Sequence, residues 1–127
     1  MATISAIAEA AELLQAANID GVDNVYSRMI PVDDNDASKT VILITEVIDQ
    51  EPNRFGSDKT TEFESVIALN IFYGLFTTAS SDAVERAIFN AFESAGWTQV
   101  YAPGHTTDPD TKQLTKVMQF KQSKERF

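Results

Sequence analysis

The chain has 127 residues, 43% of them hydrophobic and 23% charged, enough for one globular core and too apolar for intrinsic disorder. Nineteen acidic against ten basic residues give a net charge of -9, a surface that repels nucleic acid phosphates and anionic membranes unless cations cluster. No cysteine is present, which excludes disulfide frameworks, thiolate nucleophiles and cysteine-ligated metal sites.

The opening MATISAIAEAAELLQAA lacks the basic region and continuous apolar stretch of a signal peptide, and Glu9 and Glu12 interrupt it. No run approaches the roughly 20 apolar residues that span a bilayer. The expectation is a protein made and used inside a cell, or packaged from there. Thr3 or Ser5 can cap a first helix whose stripe is Ile4, Ile7, Ala8, Ala11 and Leu14, with Asn18 to Gly21 ending it. Val22 to Ile30 reads as a strand stopped by Pro31.

The loop VDDNDASK, residues 32–39, gathers Asp33, Asp34 and Asp36. A calcium loop needs Gly at its sixth position and Glu at its twelfth. Counting from Asp34, these are Lys39 and Thr45, so a solvated turn is the better reading. TVILITEVI, residues 40–48, is a β-branched strand that belongs beside the longest strand-like run, TEFESVIALNIFYGL from Thr61 to Leu75. In that run Phe63, Ile67, Leu69, Ile71 and Tyr73 share one face while Val66, Ala68 and Phe72 make the other apolar, the pattern of a strand in mid-sheet. The connection from Asp49 to Thr60 reads as an exposed hairpin arm.

Ser81 or Asp82 starts a second helix. With Asp82 as cap, Glu85 completes a capping-box-like pair. Its stripe is Val84, Ala87, Ile88, Ala91, Phe92 and Ala95, followed by Gly96 for a left-handed end and Trp97 for the apolar contact. Phe89 lies off the stripe, either boundary core or a subunit contact. Trp97 to Tyr101 and Leu114 to Lys121 read as strands around a polar turn region, Pro103 to Lys112. Lys112, Lys116, Lys121, Lys124 and Arg126 are then the solvated face of the last strand. The expected fold is α+β in the order αβββαββ, a mostly antiparallel sheet packed by two helices in a single domain over residues 1–127.

His105 is the only histidine. In the setting PGHTTDPD it reads as a turn residue more readily than as part of a metal site or acid-base pair with Asp108 and Asp110. Ser5, Ser80, Ser81 and Ser94 have no second histidine to activate them, and the five glycines are scattered singly at element ends, without a phosphate cradle. Glu62 and Glu64 share one side of a strand start and read as solvated. Neither a catalytic group nor a cofactor or metal is expected.

VDNVYSRMIP, TVILITEV, TEFESVIALNIFYG, the helix ending ESAGW and the closing HTTDPDTKQLTKVMQF together resemble the small tail-component proteins of long, flexible-tailed phages and prophages of Gram-positive bacteria. The IFYG strand end and the DPDT turn carry the resemblance most specifically. It implies a tail terminator: a small α+β protein that closes into a ring, by resemblance a hexamer, caps the finished tail tube and joins it to the head. The implied partners are other copies of itself, the major tail protein and a head-completion protein, with no membrane and no sequence-specific nucleic acid. The implied location is the head-proximal end of the virion tail, after assembly in the host cytoplasm. Candidate contact residues are Asp33, Asp34 and Asp36 in the first loop, Arg54, Phe55, Asp58 and Lys59 in the second, and Phe89 on the helix. The other readings are a head-completion or connector protein of the virion, a small intracellular binding module, and a small enzyme using His105.

Overall fold

The computed structural model describes residues 6–28, 30, 37–50, 62–75, 77 and 80–125. In chain order the elements are α1 (Ala6–Ala17), β1 (Asn24–Ser27), β2 (Val41–Gln50), β3 (Glu62–Phe72), α2 (Ser81–Ser94), β4 (Thr98–Tyr101), β5 (Thr106–Thr107) and β6 (Leu114–Glu125). The fold is α+β: two helices and a mostly antiparallel sheet with strands in the order β1-β2-β3-β6-β4, β5 also pairing with β6. The expected order αβββαββ holds, with the two-residue β5 added inside the polar turn region. Where an exposed arm begins at Asp49 in the sequence reading, β2 instead runs on to Gln50. Residues 51–61 lie outside the described residues.

β3 sits in mid-sheet because both its faces are apolar. On one side Ile71 and Leu69 face Ile42 and Ile44 of β2, and on the other Leu69 and Ile67 face Met118 and Phe120 of β6. Ile67, Leu69 and Ile71 are fully buried, together with Ile42, Ile44, Phe120 and the helix residues Ile88 and Phe92. Each such side chain contributes roughly 1.5–3 kcal/mol by leaving water. The opposite face holds buried Val66 and Ala68 beside Asn70, whose Nδ2 donates to the Leu43 carbonyl at 3.2 Å and to Thr45 Oγ1 at 3.3 Å. A bulge at Val47 breaks the β2–β3 register, and Val47 is left largely exposed.

α1 packs on β1, β2 and β3 and touches α2. Its buried stripe is Ile7, Ala10 and Leu14, not the expected one through Ala8 and Ala11. The small Ala10 lies completely buried, and Ala8 and Ala11 are half-buried. The caps proposed at Thr3 or Ser5 lie outside the described residues. β1 is shorter than the expected Val22–Ile30 and pairs with β2 in parallel. It stops where Arg28 turns to a left-handed φ of 69°, donates its backbone N–H to the Ile44 carbonyl and pairs its side chain with Glu46 at 3.0 Å.

α2 is capped by Ser80, whose side chain accepts from the Ala83 N–H, so neither Ser81 nor Asp82 is the cap. Its far end follows the sequence expectation: Gly96 has φ +92°, its N–H bonds the Glu93 carbonyl, and the Trp97 N–H bonds the Phe92 carbonyl. This pair of bonds with Gly at the left-handed position is a Schellman ending, and Trp97 packs edge-on against Phe92 with ring centroids 5.5 Å apart. Gly74, the glycine of IFYG, is required by close approach. A Cβ there would run into the backbone carbonyl of Ser38, because the Gly74 N–H donates to Thr40 Oγ1 at 2.9 Å and the Leu75 N–H to the Ala37 carbonyl.

Candidate functional site at the α2–β4 corner

α2 crosses the sheet toward β4, the edge strand on the β6 side. Between them runs a groove of about 320 Å³ lined by Asp82, Glu85, Arg86, Phe89, Gln99, Ala102, Lys116 and Met118. Phe89, one of the candidate contact residues, opens onto this groove and is 37% exposed. Beside it β4 carries a bulge between Gln99 and Tyr101, which turns Val100 and Tyr101 outward at 48% and 55% exposure. Helix α2 and edge strand β4 thus each carry large apolar side chains exposed to solvent. Bulges and short length are common devices on sheet edges, since they discourage backbone pairing with another chain.

The back of the groove holds a cluster that the sequence reading missed. Tyr73, at the end of β3, donates its hydroxyl to Glu85 Oε2 at 2.6 Å, and His105 Nε2 stands 2.6 Å from the same oxygen. Two acceptors cannot stand that close without a proton between them. His105 therefore donates through Nε2. Glu85 is well covered, its side chain 14% exposed against 34% for His105. Burial first, and then the hydrogen bond and charge of Glu85, push the Tyr73 hydroxyl far above the usual tyrosine range. A phenol so held is a poor acid, so the cluster acts as a clasp between three elements.

The clasp corrects two expectations. Glu85 does not fold back to cap α2, since with Ser80 as cap it lies beyond the first turn. His105 is not a bare turn residue, since it ties the segment before β5 to α2. Lys116, expected on a solvated face, lies on the same face as Met118 and Phe120 and donates Nζ to the Pro103 carbonyl at 2.6 Å, a second tie on that segment. The DPDT motif builds the turn into β6. Asp108 Oδ1 accepts from the N–H groups of Asp110 and Thr111 at 2.8 and 3.2 Å, and Lys112 takes φ 66° to close it.

The remaining candidate residues, Asp33, Asp34, Asp36, Arg54, Phe55, Asp58 and Lys59, lie outside the described residues. Among the described residues no group of three or more His, Cys, Asp or Glu side chains is arranged to hold a metal ion, and no helix is long and apolar enough to cross a membrane.

A family comparison accounts for nearly the whole chain. It belongs to the DUF806 family, described as proteins of unknown function, which matches residues 5–125. The match runs from the start of α1 to the end of β6 and so takes in every element around the corner. No curated protein matches the chain.

Proposed function

We propose that this protein is a tail terminator of a long-tailed phage or prophage: a ring-forming structural protein that caps the tail tube and offers the head a joining surface. The observation that carries the reading is the exposure of Phe89 on α2 and of Val100 and Tyr101 on the edge strand β4 of an otherwise acidic domain. Isolated apolar residues on a surface are ordinary, whereas several at one edge mark a protein contact. The resemblance of the IFYG and DPDT segments to phage tail components supplies the kind of contact. The titratable cluster behind the groove is engaged with itself, which favours assembly over chemistry. The protein works at the head-proximal end of the tail, with copies of itself, the major tail protein and a head-completion protein as partners, and needs no catalytic group or cofactor.

Electron microscopy of a lysate from a phage lacking this gene tests the reading. Tubes running past their normal length beside filled, unattached heads are expected. Free tails of normal length would instead assign the protein to the head side as a connector, and intact infectious particles would remove it from virion assembly.

A further inference from the structure

The connection from α1 to β1 carries a residue pair that occurs once in the chain: of its aspartates only Asp20 is followed by glycine, and no asparagine is. The backbone nitrogen of the next residue can attack an aspartyl side chain, but a side chain on that residue crowds the closing ring. Glycine, with no Cβ, removes the obstacle. The fold leaves this pair open. Asp20 and Gly21 are both exposed, Gly21 turns through φ 93°, and among the described residues neither the Asp20 carboxylate nor the Gly21 N–H takes a hydrogen bond.

The other described aspartates are protected. The N–H that follows Asp23 donates to the Thr40 carbonyl at 3.3 Å, the one after Asp82 to Ser80 Oγ at 3.4 Å, and the one after Asp110 to Asp108 Oδ1 at 3.2 Å. Asp49 lies inside β2. Asp108 precedes Pro109, which has no N–H to give.

We infer that Asp20–Gly21 is a site of spontaneous isoaspartate formation, and that the altered residue loosens β1. The Gly21 nitrogen gives up its proton and bonds to Asp20 Cγ, a carboxyl oxygen leaves as water, and a succinimide closes. Water then opens the ring at either carbonyl. Breaking the new N–C bond restores aspartate, whereas breaking the original one leaves the main chain running through Cβ and Cγ, with the α-carboxylate as the side group. Only water is exchanged. The main chain gains one carbon between Ile19 and Val22, whose carbonyl and N–H are joined at 3.3 Å. Directly after that turn, the Asp23 N–H donates to the Thr40 carbonyl at 2.8 Å and the Thr40 N–H donates to Asp23 Oδ2 at 2.7 Å. This exchange seats β1 against β2, so a longer chain before it disturbs the seating. The aged protein also becomes a methyl acceptor for an isoaspartate-specific methyltransferase using S-adenosylmethionine.

The test ages the purified full-length protein at neutral pH, labels it with that enzyme and radioactive S-adenosylmethionine, and locates the modified residue by peptide mass spectrometry. Label that grows with age at Asp20 is expected. It should be lost in Asp20→Glu, whose longer side chain closes the ring far more slowly, and should form several-fold faster in Asp20→Asn, which releases ammonia in place of water. Hydrogen exchange in residues 23–27 should rise several-fold in the aged protein and stay unchanged in β3. Folded protein that remains unlabelled would overturn the inference, and label on the urea-unfolded chain alone would show that the fold protects the pair. Label centred on another residue would overturn it too. Isoaspartate at Asp20 with β1 exchange unchanged would overturn the effect on β1.

Discussion

Two regions of this molecule are held together by different physics. Around β3 the stabilisation comes from apolar burial: Ile67, Leu69 and Ile71 are sealed between neighbouring strands and the helices, and their register follows from an alternation repeated over eleven residues. At the α2–β4 corner the strands are four and two residues long, the apolar side chains face out, and the loop before β5 is fixed by Glu85, His105 and Lys116. Burial is non-directional and tolerates small shifts. The clasp depends on two short hydrogen bonds to one oxygen. A region organised in this way can keep its shape while exposing apolar surface.

The contrast can be broken by mutation. Leu69→Ala removes a fully buried side chain and is expected to cost about 2–5 kcal/mol, a large share of the roughly 5–15 available to a domain. Urea midpoints check it, and a loss under about 1 kcal/mol would place the core elsewhere. Glu85→Ala leaves the Tyr73 hydroxyl and the His105 ring without their shared acceptor. A loss of about 1–3 kcal/mol is expected, with hydrogen exchange rising in residues 102–107 and not in β3. Equal acceleration in both regions would mean that the clasp and the core are one cooperative unit.

The smallest effect concerns alkaline pH. The folded Tyr73 hydroxyl titrates above its unfolded value, so its contribution is complete below about pH 10 and is lost as pH rises toward the folded value. Wild-type stability should therefore fall above pH 10, and Tyr73→Phe should flatten that fall. Parallel curves for the two proteins would refute the assignment.

What was legible in the sequence was what local periodicity encodes: β3 with its two apolar faces, its pairing with β2, the Val84–Ile88–Phe92 stripe and the Gly96–Trp97 ending. The clasp was illegible for a specific reason. Moving the cap from Asp82 to Ser80 shifts Glu85 by two positions, from the third helical residue to the fifth, where its carboxylate no longer reaches the helix N-terminus. Its true partners lie 12 and 20 residues away, beyond any local pattern. The parallel pairing of β1 escaped likewise, because nothing in a four-residue strand states the direction of its neighbour. Of the candidate contact residues, the helical Phe89 met a described groove, and it had been marked by its departure from the apolar stripe.

The central position of β3 also sets an order in time. Its pairing with β2 closes across a comparatively short connection, whereas its pairing with β6 joins residues separated by roughly 40 to 60 positions, and closing a longer loop costs more chain entropy before any contact rewards it. The β2–β3 ribbon is therefore expected to form first. It then waits for β6, with α2 carried in between, to cover its other side. That late closure is expected to set the folding rate, and until it occurs the long apolar edge of β3 stands open.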